Sequence, residues 1–191
     1  MALPAVGSTV SQRFFSILLG RLVLWDRFFF LSCRVLPLRG KLRDSEFLGL
    51  AEVVRERRRL HRFLLTGWFF LPDPAAAGHA IIFPRSPLTI SRARESINVG
   101  ATLRISRARG ERGMLLQGRF FDRALRTAKE YNEKVESTYF NPMRAGLVKQ
   151  PEDWRWSSVH DDTGSLGAPS GWGSPIPVDR IMLPAEERTP R

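Results

Sequence analysis

Cysteine is nearly absent from this chain. Cys33 stands alone among 191 residues, which excludes an internal disulfide and any zinc site built from several cysteines. A reducing cytosol is the setting such a chain suits. Tyrosine is almost as scarce, with Tyr131 and Tyr139 the only two, and histidine stops at His61, His79 and His160. Long apolar runs are missing too. Phe14–Leu19 and Leu22–Trp25 are mostly apolar, but Arg21, Asp26, Arg27 and Arg34 break them up short of the roughly 20 apolar residues that cross a bilayer. No basic residue precedes Arg13 and no small-residue cleavage site follows, so a signal peptide is not expected. The chain reads as cytoplasmic, without a membrane partner.

Positive charge is what the chain has in excess, with a net charge of +11 and a pI near 11.2. Between Arg85 and Arg126 ten arginines and no lysine face only Glu95, Glu111 and Asp122. A balance of this kind favours a polyanionic partner, because each cation laid against a phosphate releases condensed counterions. Arginine's planar fork also suits phosphate oxygens and stacks on bases. An arginine-rich genome would leave the same bias. Within this stretch Arg104, Arg107, Arg109 and Arg112, beside the glycines Gly110 and Gly113, are the expected phosphate contacts.

Apolar patterning predicts the elements. Phe28–Leu36 reads as a buried strand ended by Pro37. Asp44 is placed to cap a helix with Phe47, Leu50, Ala51 and Val54 on one stripe. Phe63–Leu71 and Ala80–Phe83 read as an antiparallel pair around the prolines Pro72 and Pro74. Thr89–Arg107 fits another helix that Gly100 weakens, and Arg119–Phe121 a short edge strand. This order predicts an α+β layer structure with helices on an antiparallel sheet. Residues 1–27 form a poorly defined leader and 28–162 one domain. Residues 163–191, rich in glycine, proline and serine, are expected to be a disordered tail.

The last predicted helix opens on the capping box Thr127-Ala-Lys-Glu130, and Pro142 is expected to stop it. At about 100° per residue, Ala128, Tyr131, Val135 and Tyr139 share an apolar stripe. Glu130, Lys134, Ser137 and Asn141 share a separate polar one. Trp154 and Trp156 follow, and packing onto the core is favoured over stacking on bases.

The stretch Tyr131–Val148, with its Asn-Pro pair, together with Pro151–Ser158, resembles the signature of REP-associated tyrosine transposases. These are small single-tyrosine members of the HUH superfamily that cut and rejoin single-stranded DNA. The resemblance runs from about Phe28 to Asp162 and implies a ferredoxin-like core. It also implies Mg2+ or Mn2+ as cofactor, single-stranded or hairpin DNA as partner, and self-association into a homodimer among the options. The nucleophilic tyrosine of the family falls at Ser137, and a metal-assisting amide at Asn141. The family wording Pro-Asp-His-apolar-His meets Pro72-Asp-Pro-Ala-Ala-Ala-Gly-His79 here, so His79 matches the second histidine and Ala77 stands at the first. The implied ancestral chemistry is metal-dependent strand cleavage through a phosphotyrosine, and these replacements imply its impairment. A non-catalytic DNA-binding relic or regulator and a decayed product without activity are the other readings. The expectation that binds them is geometric: Ser137 and Asn141 should look across at His79.

Overall fold

The computed structural model describes residues 27–117, 121–162 and 174–181. Four strands, β1 (Phe28–Cys33), β2 (Leu64–Phe70), β3 (Gly78–Phe83) and β4 (Phe121–Leu125), form one antiparallel sheet in the order β2-β3-β1-β4. Helix α1 (Asp44–His61) joins β1 to β2, α2 (Ile90–Arg109) joins β3 to β4, and α3 (Ala128–Arg144) follows β4. This is the expected α+β, ferredoxin-like arrangement, a split β-α-β unit with β3 between the parallel β1 and β2.

Both faces of the sheet are covered, which explains strands that read as nearly continuous apolar runs. On one face α1 and α2 pack Phe47, Leu50, Ala51, Ala93, Ala101 and Ile105 against Leu31, Leu65, Trp68 and Ile82. On the other, α3 packs Tyr131, Val135 and Tyr139 against Phe28, Phe30, Ile81 and Leu125. The strand period of two sends Phe28 and Phe30 to one side and Leu31 to the other.

Several boundaries differ from expectation for local reasons. Gly100 does not break α2, because it marks the crossing with α1: a Cβ there would lie 2.7 Å from Val53 Cγ1. Asp44 is the first residue of α1 rather than its cap, and its carboxylate accepts a 2.5 Å hydrogen bond from the Trp156 indole. Pro142 sits inside the last turn of α3, which continues to Arg144. The edge strand falls at Phe121–Leu125, while Arg119 and Phe120 lie outside the described residues.

The expected leader, 1–27, lies outside the described residues apart from Arg27, as do 163–173 and 182–191 of the expected tail. Residues 174–181 correct that expectation, because they pack on the core. Ile176 is fully buried and its carbonyl accepts from the Trp68 indole at 2.8 Å. Asp179 exchanges hydrogen bonds with the Leu65 backbone and pairs with Arg58 at 2.6 Å. Among the described residues no helix is long and apolar enough to cross a membrane.

Candidate functional site

Helix α3 positions the polar stripe. Thr127 Oγ1 accepts from the Glu130 amide at 3.1 Å, and Glu130 reaches back to the amide of Arg126, one residue before the expected one, at 2.7 Å. With the helix anchored this way, Tyr131, Val135 and Tyr139 turn into the core, and Tyr139 is 1 % exposed. Both tyrosines of the chain are therefore core residues. Ser137 lies on the half-buried polar side. Asn141 Nδ2 donates to the Ser137 carbonyl at 2.7 Å and lies 3.5 Å from its hydroxyl, and Arg144 Nη1 approaches the same hydroxyl at 3.4 Å. This assignment of the amide leaves Asn141 Oδ1 as the atom turned away from the helix.

His79 faces α3. It belongs to the side of β3 that presents Ile81 to α3, and its ring stacks on Phe30 (4.8 Å between centroids) and packs against Phe69 (4.9 Å). Its Nδ1 meets Ser32 Oγ at 2.8 Å. Burial first, then the charges of Lys134 and Arg34, push the imidazole down to about 4, against a hydrogen bond with the Leu31 backbone that raises it. At neutral pH the ring is uncharged. Lys134 links strand to helix: its ammonium lies 4.9 Å above the centre of the Phe30 ring that stacks on His79. Ser137 follows Lys134 by one turn and Asn141 by two, about 4.5 and 10 Å along the axis. The three side chains of the expected site thus belong to elements on one side of the sheet, where Lys134 of the α3 stripe reaches the Phe30 ring beside His79.

Ala77 departs from this geometry. A strand running back from His79 would put residue 77 on the same face. Instead the 3-10 turn Pro74–Ala76 precedes it, and Ala77 itself is in the right-handed helical region (φ −61°, ψ −18°). Its side chain is buried in the layer under α1 and α2. The matching histidine position is not merely changed but turned to the opposite side.

Two of the four arginines expected to hold phosphate are engaged elsewhere. Arg109 and Glu46 form a buried pair, with side chains 4 % and 6 % exposed, and Arg109 also donates to the carbonyls of Arg39 and Lys41. Burial alone would raise the Glu46 carboxyl, but hydrogen bonds from Arg109 and the Arg43 amide, with both charges, hold it below the usual range. Arg104 bridges Glu52 and Glu56 of α1. Arg107 and Arg112 are exposed. All four lie in or just after α2, across the sheet from His79. Trp156 is buried and Trp154 donates to the Phe70 carbonyl at 2.9 Å, so both tryptophans serve packing.

Sequence reasoning placed Lys134 on the polar stripe without a role, and it missed Ser32, Arg34 and Arg144. Arg144 was within reach of pattern, since it falls seven residues after Ser137 on the same face. Ser32 follows from period two with Phe28 and Phe30. Arg34 carries no local signal.

No protein-family model matches the chain. It is 37% identical over 60 residues to a REP-associated tyrosine transposase of Escherichia coli, a match covering 31% of this chain and 36% of the relative. It is 33% identical over 57 residues to a putative REP-associated tyrosine transposase of Haemophilus influenzae, covering 30% and 32%. These matches span about a third of the length of each curated relative. A solved REP-associated tyrosine transposase bound to a REP hairpin superposes with a TM-score of 0.62 at 25% identity, over 84% of this chain and 95% of that one. The chain is homologous to REP-associated tyrosine transposases over part of its length. It shares their fold over most of it.

Such transposases imply a divalent cation, and the residues present do not fit one. Mg2+ and Mn2+ prefer several oxygen ligands with carboxylates among them. Here one neutral imidazole and one amide oxygen are on offer, and no cluster of three His, Cys, Asp or Glu occurs among the described residues. The local field opposes a cation as well. The charges of Lys134 and Arg34 already disfavour a protonated His79, and they repel a divalent ion there in the same sense.

Proposed function

We propose that this protein is a DNA-binding member of the REP-associated tyrosine transposase lineage that grips single-stranded or hairpin DNA and has lost most or all strand cleavage. The observation that carries the binding half is the likeness, over 84% of the chain, to a transposase bound to a REP hairpin. The polar stripe of α3 beside His79 supports the same face as the contact surface. The loss of cleavage rests on Ser137 at the nucleophile position, on both tyrosines being core residues, and on Ala77 facing away. A serine hydroxyl attacks phosphorus poorly without a base beside it, and the contacts of Ser137 are Asn141 and Arg144, neither of them a base.

A gel-shift titration with labelled hairpin and single-stranded oligonucleotides at two salt concentrations tests the binding. Retarded complexes that weaken steeply with salt are expected, and salt-insensitive or absent binding rejects the reading. Incubation of the same oligonucleotides with protein and Mg2+ or Mn2+ tests the cleavage half. A covalent DNA–protein adduct on a denaturing gel would overturn it.

A further inference from the structure

The misfit between a divalent cation and these residues has a positive counterpart. We infer that the surface where Lys134 of α3 meets the Phe30–His79 stack binds a DNA phosphodiester directly, through the fixed cations Lys134, Arg34 and Arg144, with no metal ion between protein and phosphate. The inference rests on the DNA-binding reading and adds to it the site and its chemistry.

Geometry puts these charges where an anion is wanted. Lys134 is seated on the Phe30 ring at 4.9 Å, and that ring stacks on His79 at 4.8 Å and 21°. A cation held by a ring face keeps its outward hydrogens for a second partner. No carboxylate among the described residues comes within ion-pair distance of Lys134, Arg34 or Arg144. Arg144 leans back along the helix to Ser137 Oγ, so its fork lies over the same stripe as the ammonium. Asn141 has its Nδ2 turned inward on the Ser137 carbonyl. The stripe also holds the outward Asn141 Oδ1 and the Glu130 carboxylate, but Glu130 is paired with Arg123, so the cations left for an outside partner, Lys134, Arg34 and Arg144, are the complement of a phosphate.

Fluorescence anisotropy with a 5′-labelled hairpin oligonucleotide carrying a single-stranded flank tests the site. Equal affinity in EDTA and in millimolar Mg2+, within about twofold, is expected. Lys134→Gln should weaken binding about tenfold and flatten the slope of log affinity against log salt by about one. Lys134→Arg should retain both, and Arg59→Gln, a solvated charge on α1, should change neither by more than about twofold. Should Lys134→Gln fail to give a cooperative melt, Arg144→Gln takes its place with the same expectation. Binding that needs Mg2+ and ignores Lys134 and Arg144 overturns the phosphate site and spares the DNA reading. An equal loss from Arg59→Gln overturns it too, by showing charge without a site. No binding in either buffer removes both. Calorimetric titration with Mn2+ alone gives an independent readout: saturable binding at micromolar concentration, abolished by His79→Ala, would also overturn the inference.

Discussion

On the side of the sheet that carries α1 and α2, Arg109 lies against Glu46 with both side chains buried, and Arg104 reaches both Glu52 and Glu56. On the side under α3, Lys134 rests on an aromatic ring and Arg144 on a serine hydroxyl, with no carboxylate partner among the described residues. The two regions draw on one strongly basic composition and use it differently at these positions, although Arg123 on the α3 side is paired with Glu130 and Arg107 and Arg112 on the other are exposed. Charge that is paired inside the fold contributes to stability and adds little to the field outside. Charge left without a partner does the reverse. A raw count of arginines therefore overstates the free charge between Arg85 and Arg126, because Arg104, Arg109 and Arg123 of that stretch are paired with glutamates.

The sharpest way to break that contrast is to remove one member of the buried pair. Glu46→Gln leaves the Arg109 guanidinium buried without its counter-charge, and a loss of about 3–5 kcal/mol is expected from chemical denaturation. The pair also sets a pH window. Because the folded Glu46 carboxyl lies below its unfolded value, its contribution is complete above the unfolded pKa and disappears as pH falls through the folded one. Wild type should lose stability on acidification toward and below pH 4, and the variant should show a shallower loss over that range. A Glu46→Gln protein as stable as wild type at pH 7 would mean that this side, too, carries its charge unpaired.

Next in size is the returning segment. Ile176→Ala empties a fully buried position beside Trp68 and should cost about 2–4 kcal/mol, read from the same denaturation curves. Ala77→His should cost about 1–3 kcal/mol, since it forces an imidazole into the packed layer under α1 and α2. Combined with Ser137→Tyr it should still yield no Mn2+-dependent adduct on hairpin DNA. A recovered adduct would show that Ala77 turns to the His79 side and would dissolve the contrast at its centre.

These predictions mark where local pattern stops being informative. Periods of two and 3.6 residues are local, so β1, the core stripe of α3 and the polar stripe with Ser137 and Asn141 were all legible. The side on which His79 falls was legible for the same reason. Ala77 was not, because one inserted turn at Pro74–Ala76 resets the alternation, and the sequence shows only that extra residues are present. The arginine partners were hidden by distance along the chain: Arg104 meets a glutamate 52 positions away and Arg109 one 63 away. The segment 174–181 escaped notice because its apolar anchors, the buried Ile176 with the partly buried Val178 and Ile181, make no local pattern, and its hydrogen bonds include ones to residues more than a hundred positions earlier. Solvated and compensated charge look alike in composition, and only tertiary contacts separate them.

The smallest expected effect sharpens the comparison from the other side. Ser137 sits on the half-buried polar stripe, and its hydroxyl contacts, 3.5 Å to Asn141 and 3.4 Å to Arg144, are too long to hold the fold together. Ser137→Tyr alone should change stability by no more than about 0.5 kcal/mol, a shift of 1–2 °C in the thermal midpoint of a chain this size. Tyr139→Ala, 200° around the same helix, should lower it by about 3–5 kcal/mol, because that ring is 1 % exposed in the core. A large penalty at Ser137 would place it in the packed interior with Tyr139. The stripe facing His79 would then be a structural seam rather than a surface open to DNA.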